Sequence, residues 1–456
     1  MIAPDGLDLS RPRRLHLVGA GGSGMAPFAR LLQAEGHAIT GADAKEGANV
    51  QALRAHGIPV VTGTEADLLP ARTEAVIHSA AIPAEAVPLR AAREAGLPVI
   101  KYARAVGLYA RGRRTCAVAG THGKTTTTAL LAHVMRRGGL RPGFLVGGVV
   151  PQLKARPKPK APWFVVEACE YDRSFLHIAP EVAIVTNIEP EHLDYYKDIV
   201  EIRDAFQAFA REVSGLLVLH ESLRDDLARA SGIRARVLTY GPSPDADVRV
   251  LPADRKRGVN AFETGGRVYR LKLPGFHNVL HADAVLAVPR DLGIPEATAA
   301  SALASFRGTC RRLQVVGRPR GVSVVDDYAH HPTEVAAGLQ ALRDAYAPRR
   351  LWVVFQPHQY SRLRRFLPEF AQALSKADRI VVPDIFAARD ADEDRRAVHS
   401  NDLVAAVKAC GAEAVHIADF TAIVDFVRTQ ARAGDVVVTM GAGDVGDVAG
   451  RLAEAL

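Results

Sequence analysis

The chain has 456 residues, 48% of them hydrophobic and 24% charged, with a formal net charge of +8. Such a length predicts roughly two to four domains, and such a balance predicts a globular enzyme rather than a disordered or fibrous chain. No apolar run of ~18 residues occurs, the first residues carry Asp5, Asp8 and Pro12 in place of a secretory core, and Cys116, Cys169, Cys310 and Cys410 have no metal-type spacing, so the expectation is a cytoplasmic protein with reduced thiols.

The basic residues are dispersed, apart from Arg111–Arg114 and the Pro-spaced segment Lys154–Lys160. No aromatic-interleaved basic stripe accompanies them, so small polyanionic substrates are favoured over nucleic acid. The Lys154–Lys160 segment reads as a solvated loop.

In chain order, Arg14–Val18 reads as a strand, followed by Gly19-Ala-Gly21-Gly22-Ser23-Gly24-Met25, a helix through Gln33 and a second strand ending at Asp43. This is a complete G-x-G-x-x-G with an acidic residue about twenty positions on, the dinucleotide fingerprint of a Rossmann sheet. The glycines serve NAD(P) and the diphosphate of another nucleotide equally, so both stay open. Short strands at Val60-Val61, Val76–His78 and Leu97–Ile100 continue the alternation up to a boundary near Arg111.

The apolar run Cys116–Ala119 then enters Gly120-Thr121-His122-Gly123-Lys124-Thr125-Thr126, and a helix former follows from Ala129 to Met135. Strand, glycine loop and helix N-terminus in that order favour a bound phosphate. Lys124 would reach the terminal phosphates of a nucleotide, and the Thr125 hydroxyl would meet Mg²⁺. Val118 stands where the common loop pattern has its first glycine. A strand Trp163–Glu167 carries Glu167, Glu170 and Asp172 at its end, and Val182–Asn187 leads into Glu189, Glu191, His192 and Asp194. Of these, Glu167 is the expected metal partner of the loop and His192 a second ligand, against salt-bridged or capping roles.

Glu263–Arg267 reads as a hairpin turn, and Leu273–Asn278 places His277 and Asn278 at a helix start, where a purine contact and capping compete. After Arg311-Arg312, the strand Val322–Val325 delivers Asp326, Asp327, Tyr328, His330 and His331, with Pro332 opening a helix. Leu351–Phe355 delivers Gln356, His358, Tyr360, Ser361, Arg362 and Arg364; Ile380–Pro383 and Asp435–Thr439 follow. His330 and His331 point to substrate contact rather than metal, because adjacent side chains diverge. Gly441–Gly446 repeats G-x-G-x-x-G, but only ten residues follow, too few for a second dinucleotide unit. Neither Cys169 nor Cys310 has an evident activating base, which argues against covalent cysteine catalysis.

The motifs Gly120–Thr126, Thr186–His192, Leu273–Asn278, Asp326–Pro332, Phe355–Arg362 and Met440–Asp444, in this order, resemble the Mur ligase family over nearly the whole chain. The resemblance implies three α/β domains: a Rossmann-like UDP-sugar domain (1–110), a central P-loop ATPase-type domain (111–314) and a Rossmann-like amino-acid domain (315–456). It turns the first fingerprint toward UDP, held by Gly19, Gly21, Gly22, Ser23, Gly24, Met25, Asp43, His78 and Ser79. ATP would meet Gly120–Thr126 (Gly120, Thr121, His122, Gly123, Lys124, Thr125, Thr126), Asn187, His277, Asn278, Arg312 and Asp327. Mg²⁺, with Mn²⁺ as the alternative ion, would meet Thr125, Glu167 and His192. Tyr328, His330, His331, His358, Tyr360 and Arg362 would line the amino-acid and acyl site. Lys124, His192, Glu167, His358 and Arg362 would be catalytic.

The implied activity is ATP-dependent ligation of L-alanine to the carboxylate of UDP-N-acetylmuramate through an acyl phosphate, the first peptide-forming step of peptidoglycan precursor synthesis, by a monomer or weak dimer. Rivals are a peptide-adding recycling ligase of the same family, an NAD-dependent oxidoreductase, and a non-catalytic nucleotide-binding module. Cys169, Tyr171, His281 and Gln359 depart from the family pattern, which more often has Asp, Ser, Asn and Arg there.

Overall fold

The computed structural model describes residues 7–63, 68–153, 159–228, 230–254, 259–388 and 390–456. Most of the Lys154–Lys160 loop, residues 154–158, lies outside them. The chain divides into two compact units, residues 1–250 with 281–303, and residues 251–280 with 304–456.

The first unit holds two sheets. One is wholly parallel, in spatial order Val60–Thr62, Ala38–Asp43, Arg14–Val18, Ala75–His78 and Val99–Lys101. The order reverses beside Arg14–Val18, so its carboxyl end lies at a switch point of the Rossmann type. The second runs Gly143–Leu145, Trp163–Glu167, Arg114–Ala119, Val182–Val185, Leu216–His220, Arg236–Gly241, with Val248 and Arg249 pairing onto the last. It is parallel throughout. Its strands are short apolar runs, and Trp163–Val166 and Val182–Val185 are buried at every position. Strands buried on both faces under helices read as near-continuous hydrophobic stretches, which is why no alternation marks them in the sequence.

The two sheets share one core. Phe28 and Tyr109 meet edge-to-face at 6.0 Å, and Tyr109 meets Phe164 at 5.0 Å. The Tyr109 hydroxyl donates to Glu35 Oε1 at 2.9 Å, and Arg113 Nη2 lies 3.1 Å from the same oxygen.

The second unit carries the hairpin Asn260–Thr264 and Arg267–Leu271, turning at Gly265-Gly266 as expected. Its main sheet runs Gln314–Gly317, Ser323–Asp327, Val436–Met440, Leu351–Phe355, Arg379–Val382 and Ala414–His416, parallel except for the first strand. Val353 and Phe355 face helices Pro332–Tyr346, Leu367–Leu374 and Ser400–Ala409, while Trp352 and Val354 face Phe420–Gln430 and Gly446–Ala455. Period-two alternation thus builds a separate core on each face of the sheet.

Candidate active site

The phosphate loop lies between the strand Arg114–Ala119 and the helix Lys124–Arg137. Val118 is the penultimate residue of that strand, so the loop turns at Gly120 with no need of an earlier glycine. Gly120 and Gly123 have φ of +131° and +80°. A Cβ on Gly120 would collide with Thr186 Oγ1, and one on Gly123 with the His281 ring, so both positions require glycine twice over.

The neighbouring strand end braces the loop. Asn187 Oδ1 accepts from His122 N at 2.8 Å, and Thr186 Oγ1 donates to the His122 carbonyl at 2.6 Å. Thr121 Oγ1 accepts from Glu189 N at 2.8 Å. Asn187 therefore shapes the loop through its backbone. Thr126 is buried in the first turn of the helix.

Lys124 Nζ donates to the carbonyls of Gly120 and Thr121, the latter at 3.0 Å, and to Glu170 Oε1 at 3.0 Å. Burial opposes the lysine's charge, but Glu170, helped by Cys169 and Glu167, holds its pKa above the usual value. Thr125 Oγ1 donates to Glu167 Oε1 at 3.0 Å, and Gly147 N donates to Glu167 Oε2 at 2.7 Å. A hydroxyl and a carboxylate oxygen at this separation are hard donors that fit Mg²⁺. His192, at φ +55°, lies with Nε2 3.6 Å from Glu170 Oε1 and packs on the Tyr171 ring at 5.0 Å. Tyr171 thus fills a position beside His192. Burial pushes the Cys169 thiol up to about 12, with the Glu170 charge adding to the rise, so the thiolate form is disfavoured.

At the first fingerprint, Asp43 Oδ2 accepts from Gly21 N at 2.8 Å and Oδ1 from Lys45 N at 3.2 Å. Asn49 Nδ2 donates to the Gly21 carbonyl at 2.8 Å. The acidic residue of the fingerprint therefore fastens the glycine turn. Gly19, Gly22, Ser23, Gly24 and Met25 lie along that turn and the start of the helix Met25–Ala34. His78 Nδ1 is 3.0 Å from the Ser79 carbonyl on the adjacent strand end, and burial lowers its pKa.

In the second unit, His277 and Asn278 open the helix Phe276–Leu286. Asn278 does not cap it: its Nδ2 donates to the Pro274 carbonyl at 2.7 Å and lies 3.1 Å from His277 Nε2. Burial lowers the His277 pKa to about 4. Burial likewise pushes the Asp327 carboxyl up to about 7, against the pull of Arg312. Arg312 Nη1 is 3.9 Å from Glu334, whose Oε2 accepts from His330 N at 3.0 Å. Tyr328 lies under the Arg311 and Arg312 guanidinium groups at 5.0 and 5.1 Å. The two histidines do diverge: His330 turns toward Tyr328 and Glu334, while His331 packs on Phe366 at 5.2 Å.

Arg362 Nη1 lies 3.1 Å from both His358 Nδ1 and the His358 carbonyl. A guanidinium can only donate, so Nδ1 must be the lone-pair nitrogen and Nε2 must carry the proton. His358 is thereby set as a donor from Nε2, stacked on Phe386 at 5.6 Å. Gln359 is buried with φ +72°, and its N–H donates to the Phe386 carbonyl at 3.0 Å. Tyr360 and Arg362 occupy the first turn of the helix that follows.

Three family models match in succession: Mur ligase family, catalytic domain, over 14–114; Mur ligase middle domain over 118–288; and Mur ligase, glutamate ligase domain over 311–443. The UDP-N-acetylmuramate–L-alanine ligase of Streptomyces coelicolor is 42% identical over 97% of each chain, and that of Caldanaerobacter subterraneus 36% over 98% and 99%. The chain belongs to the Mur ligase family. Among solved structures, the UDP-N-acetylmuramate-alanine ligase of Thermotoga maritima matches with a TM-score of 0.81 and 28% identity, covering 97% and 98% of the two chains. This Mur ligase has three α/β domains, as the motif order implied.

Several residues that contact the predicted site residues within their own unit are not marked by the sequence. Glu170 was one acid in a run of three, with nothing in the spacing to say which of them meets Lys124. Asn49, Glu334 and Arg311 stand outside every motif that carries a ligand role. Arg311 donates to the Gly441 and Gly443 carbonyls at 2.8 and 3.1 Å, tying the last glycine loop to Asp326.

Proposed function

We propose that this Mur ligase joins the amine of L-alanine to the lactyl carboxylate of UDP-N-acetylmuramate, with ATP as the activating substrate. The observation that carries the reading is that Lys124 and Thr125, at the helix start, meet Glu170 and Glu167 at the end of the neighbouring strand, in a chain that matches an L-alanine ligase over 97% of its length. Residues 1–110 would take the UDP-sugar, 111–314 ATP, and 315–456 the amino acid.

A carboxylate is a poor acyl acceptor for an amine, so ATP supplies the phosphoryl group that activates it. Lys124 would neutralise charge gathering on that group, where a preorganised cation acts most strongly. Thr125 and Glu167, with His192, would hold Mg²⁺, whose chemistry when bound is charge neutralisation on the phosphates. In the last domain, the His358 Nε2–H and Arg362 offer donors to acyl and carboxylate oxygens, and Arg362 keeps His358 in the donating tautomer.

The test is phosphate release from ATP with Mg²⁺ and UDP-N-acetylmuramate, with L-alanine, other amino acids, or a tripeptide added. Release that depends jointly on the sugar nucleotide and L-alanine is the expected result. Release with the tripeptide alone, or hydride transfer from NADH without ATP, overturns the reading.

A further inference from the structure

Two carboxylates stand three positions apart, Glu167 as the last residue of the strand Trp163–Glu167 and Glu170 beyond it, and they divide their partners. Glu167 takes the Thr125 hydroxyl and the Gly147 N–H. Glu170 takes the lysine: Oε1 and Oε2 lie 3.0 and 2.9 Å from Lys124 Nζ. Its side chain is only 2% exposed. It is also held from behind, because the buried Tyr196 hydroxyl donates to its main-chain carbonyl.

An ammonium has three N–H donors. On Lys124 they are directed to the Gly120 carbonyl, the Thr121 carbonyl and Glu170. Only the last partner carries charge, and a buried cation without an anion is strongly disfavoured. The two carbonyls belong to the phosphate loop itself, so among the described residues Glu170 alone fixes the ammonium from outside the loop.

We propose that Glu170 is a positioning residue of the phosphate loop: its carboxylate sets where the Lys124 ammonium stands over Gly120–Thr121, and so how the lysine meets the transferring phosphoryl group. The proposal rests on the reading that the loop takes ATP. Glu170 touches no reacting atom; it acts through Lys124. Removing its charge frees the ammonium to shift toward Glu167, away from the productive place. It also removes a negative charge near an anionic substrate. Catalysis and binding therefore move in opposite senses, which a general loss of structure does not produce.

The test is a double-mutant cycle on Glu170→Gln and Lys124→Ala, read as kcat, KM for ATP and equilibrium ATP affinity. Glu170→Gln is expected to lower kcat by about 100-fold, as for loss of one preorganised group, without raising KM for ATP. In the Lys124→Ala background the same change should lower kcat by less than about threefold, because residues acting as a unit are non-additive. Glu170→Asp keeps the charge at shorter reach and should recover part of the loss; it also serves if the Gln variant fails to fold. Multiplicative losses in the double variant, an Asp variant no better than Gln, or a KM for ATP that rises as kcat falls would each overturn the proposal. Because the cycle is also read on ATP affinity alone, it stays decidable if the chain binds ATP but does not use L-alanine.

Discussion

At the scale of single residues, the chemistry hangs on a few groups whose charge state the fold enforces. Lys124 is the clearest: Glu170 holds its pKa above the usual value despite burial, which would keep an ammonium available where the proposed reaction develops negative charge. Lys124→Ala is expected to lower kcat at least ~100-fold, measured as alanine-dependent phosphate release; near-normal turnover would remove the loop from the mechanism. Asp327 and His277, both buried in the second unit, make a different prediction. Asp327 has a folded pKa of about 7 against an ordinary 3.8. Between those values the folded chain keeps a proton that the unfolded chain has released. Its stabilising contribution is therefore full below pH 3.8 and is lost as pH rises through about 7. His277 runs the other way, with a folded pKa of about 4 against 6.5. The unfolded chain holds the extra proton there, so stability rises with pH across that window and is lost as pH falls through about 4. The two slopes oppose each other between about pH 4 and 6.5. Asp327→Asn should leave the rising slope alone, and His277→Gln the falling one, in urea unfolding measured across that range. An Asp327→Asn slope matching that of the parent chain would refute the assignment.

At the scale of elements, the strand–loop–helix unit around Gly120–Thr126 was legible because each part has a local signature: an apolar run, glycines, then helix formers. The hairpin at Gly265-Gly266 and the start of a helix at Pro332 were legible for the same reason. What stayed hidden depends on contacts between elements. Glu167 and Glu170 look alike in sequence, and only the folded contacts assign one, at the strand end, to Thr125 and the other, three residues on, to Lys124. Asp43 stands out in sequence only as the acidic residue of the dinucleotide fingerprint; its bond to Gly21 N arises where a strand end meets a turn 22 residues away. The strands Gly143–Leu145 and Ala414–His416 are too short to show a period. His281, read only as a departure from the family pattern, packs where a side chain on Gly123 would stand. Gly123→Ala should therefore destabilise through two separable causes. The left-handed backbone at φ +80° costs an Ala about 1–2 kcal/mol, and the contact with the His281 ring adds to it. Adding His281→Ala should recover the contact part and leave the backbone part, as read by thermal unfolding. Full recovery would mean that the backbone conformation carries no strain.

At the scale of the whole molecule, domain count in sequence and cooperative units in three dimensions need not coincide. The first and middle sheets carry separate motifs and match separate family models, yet their apolar residues form one continuous core. Tyr109 is the joint: its ring touches Phe28 from one sheet's helix and Phe164 from the other sheet, Arg113 lies 3.9 Å over it, and its hydroxyl reaches Glu35. Glu35 in turn accepts from Arg113 and from Lys160 N at 3.0 Å, so a nearly buried carboxylate ties the same two parts. The second unit instead has its own cores on either face of its sheet. Residues in one core open together, whatever the motif boundaries say. Amides of Leu15 and Leu17 in the first sheet should thus exchange with the same opening free energy as Ala117 in the middle sheet. Tyr109→Ala should cost about 3–5 kcal/mol and split that common value, with the first sheet opening below the middle one. Native-state hydrogen exchange measures both. If the two sheets already open at well-separated free energies in the parent chain, the shared core is not the cooperative unit, and Tyr109 is only a contact between independent domains.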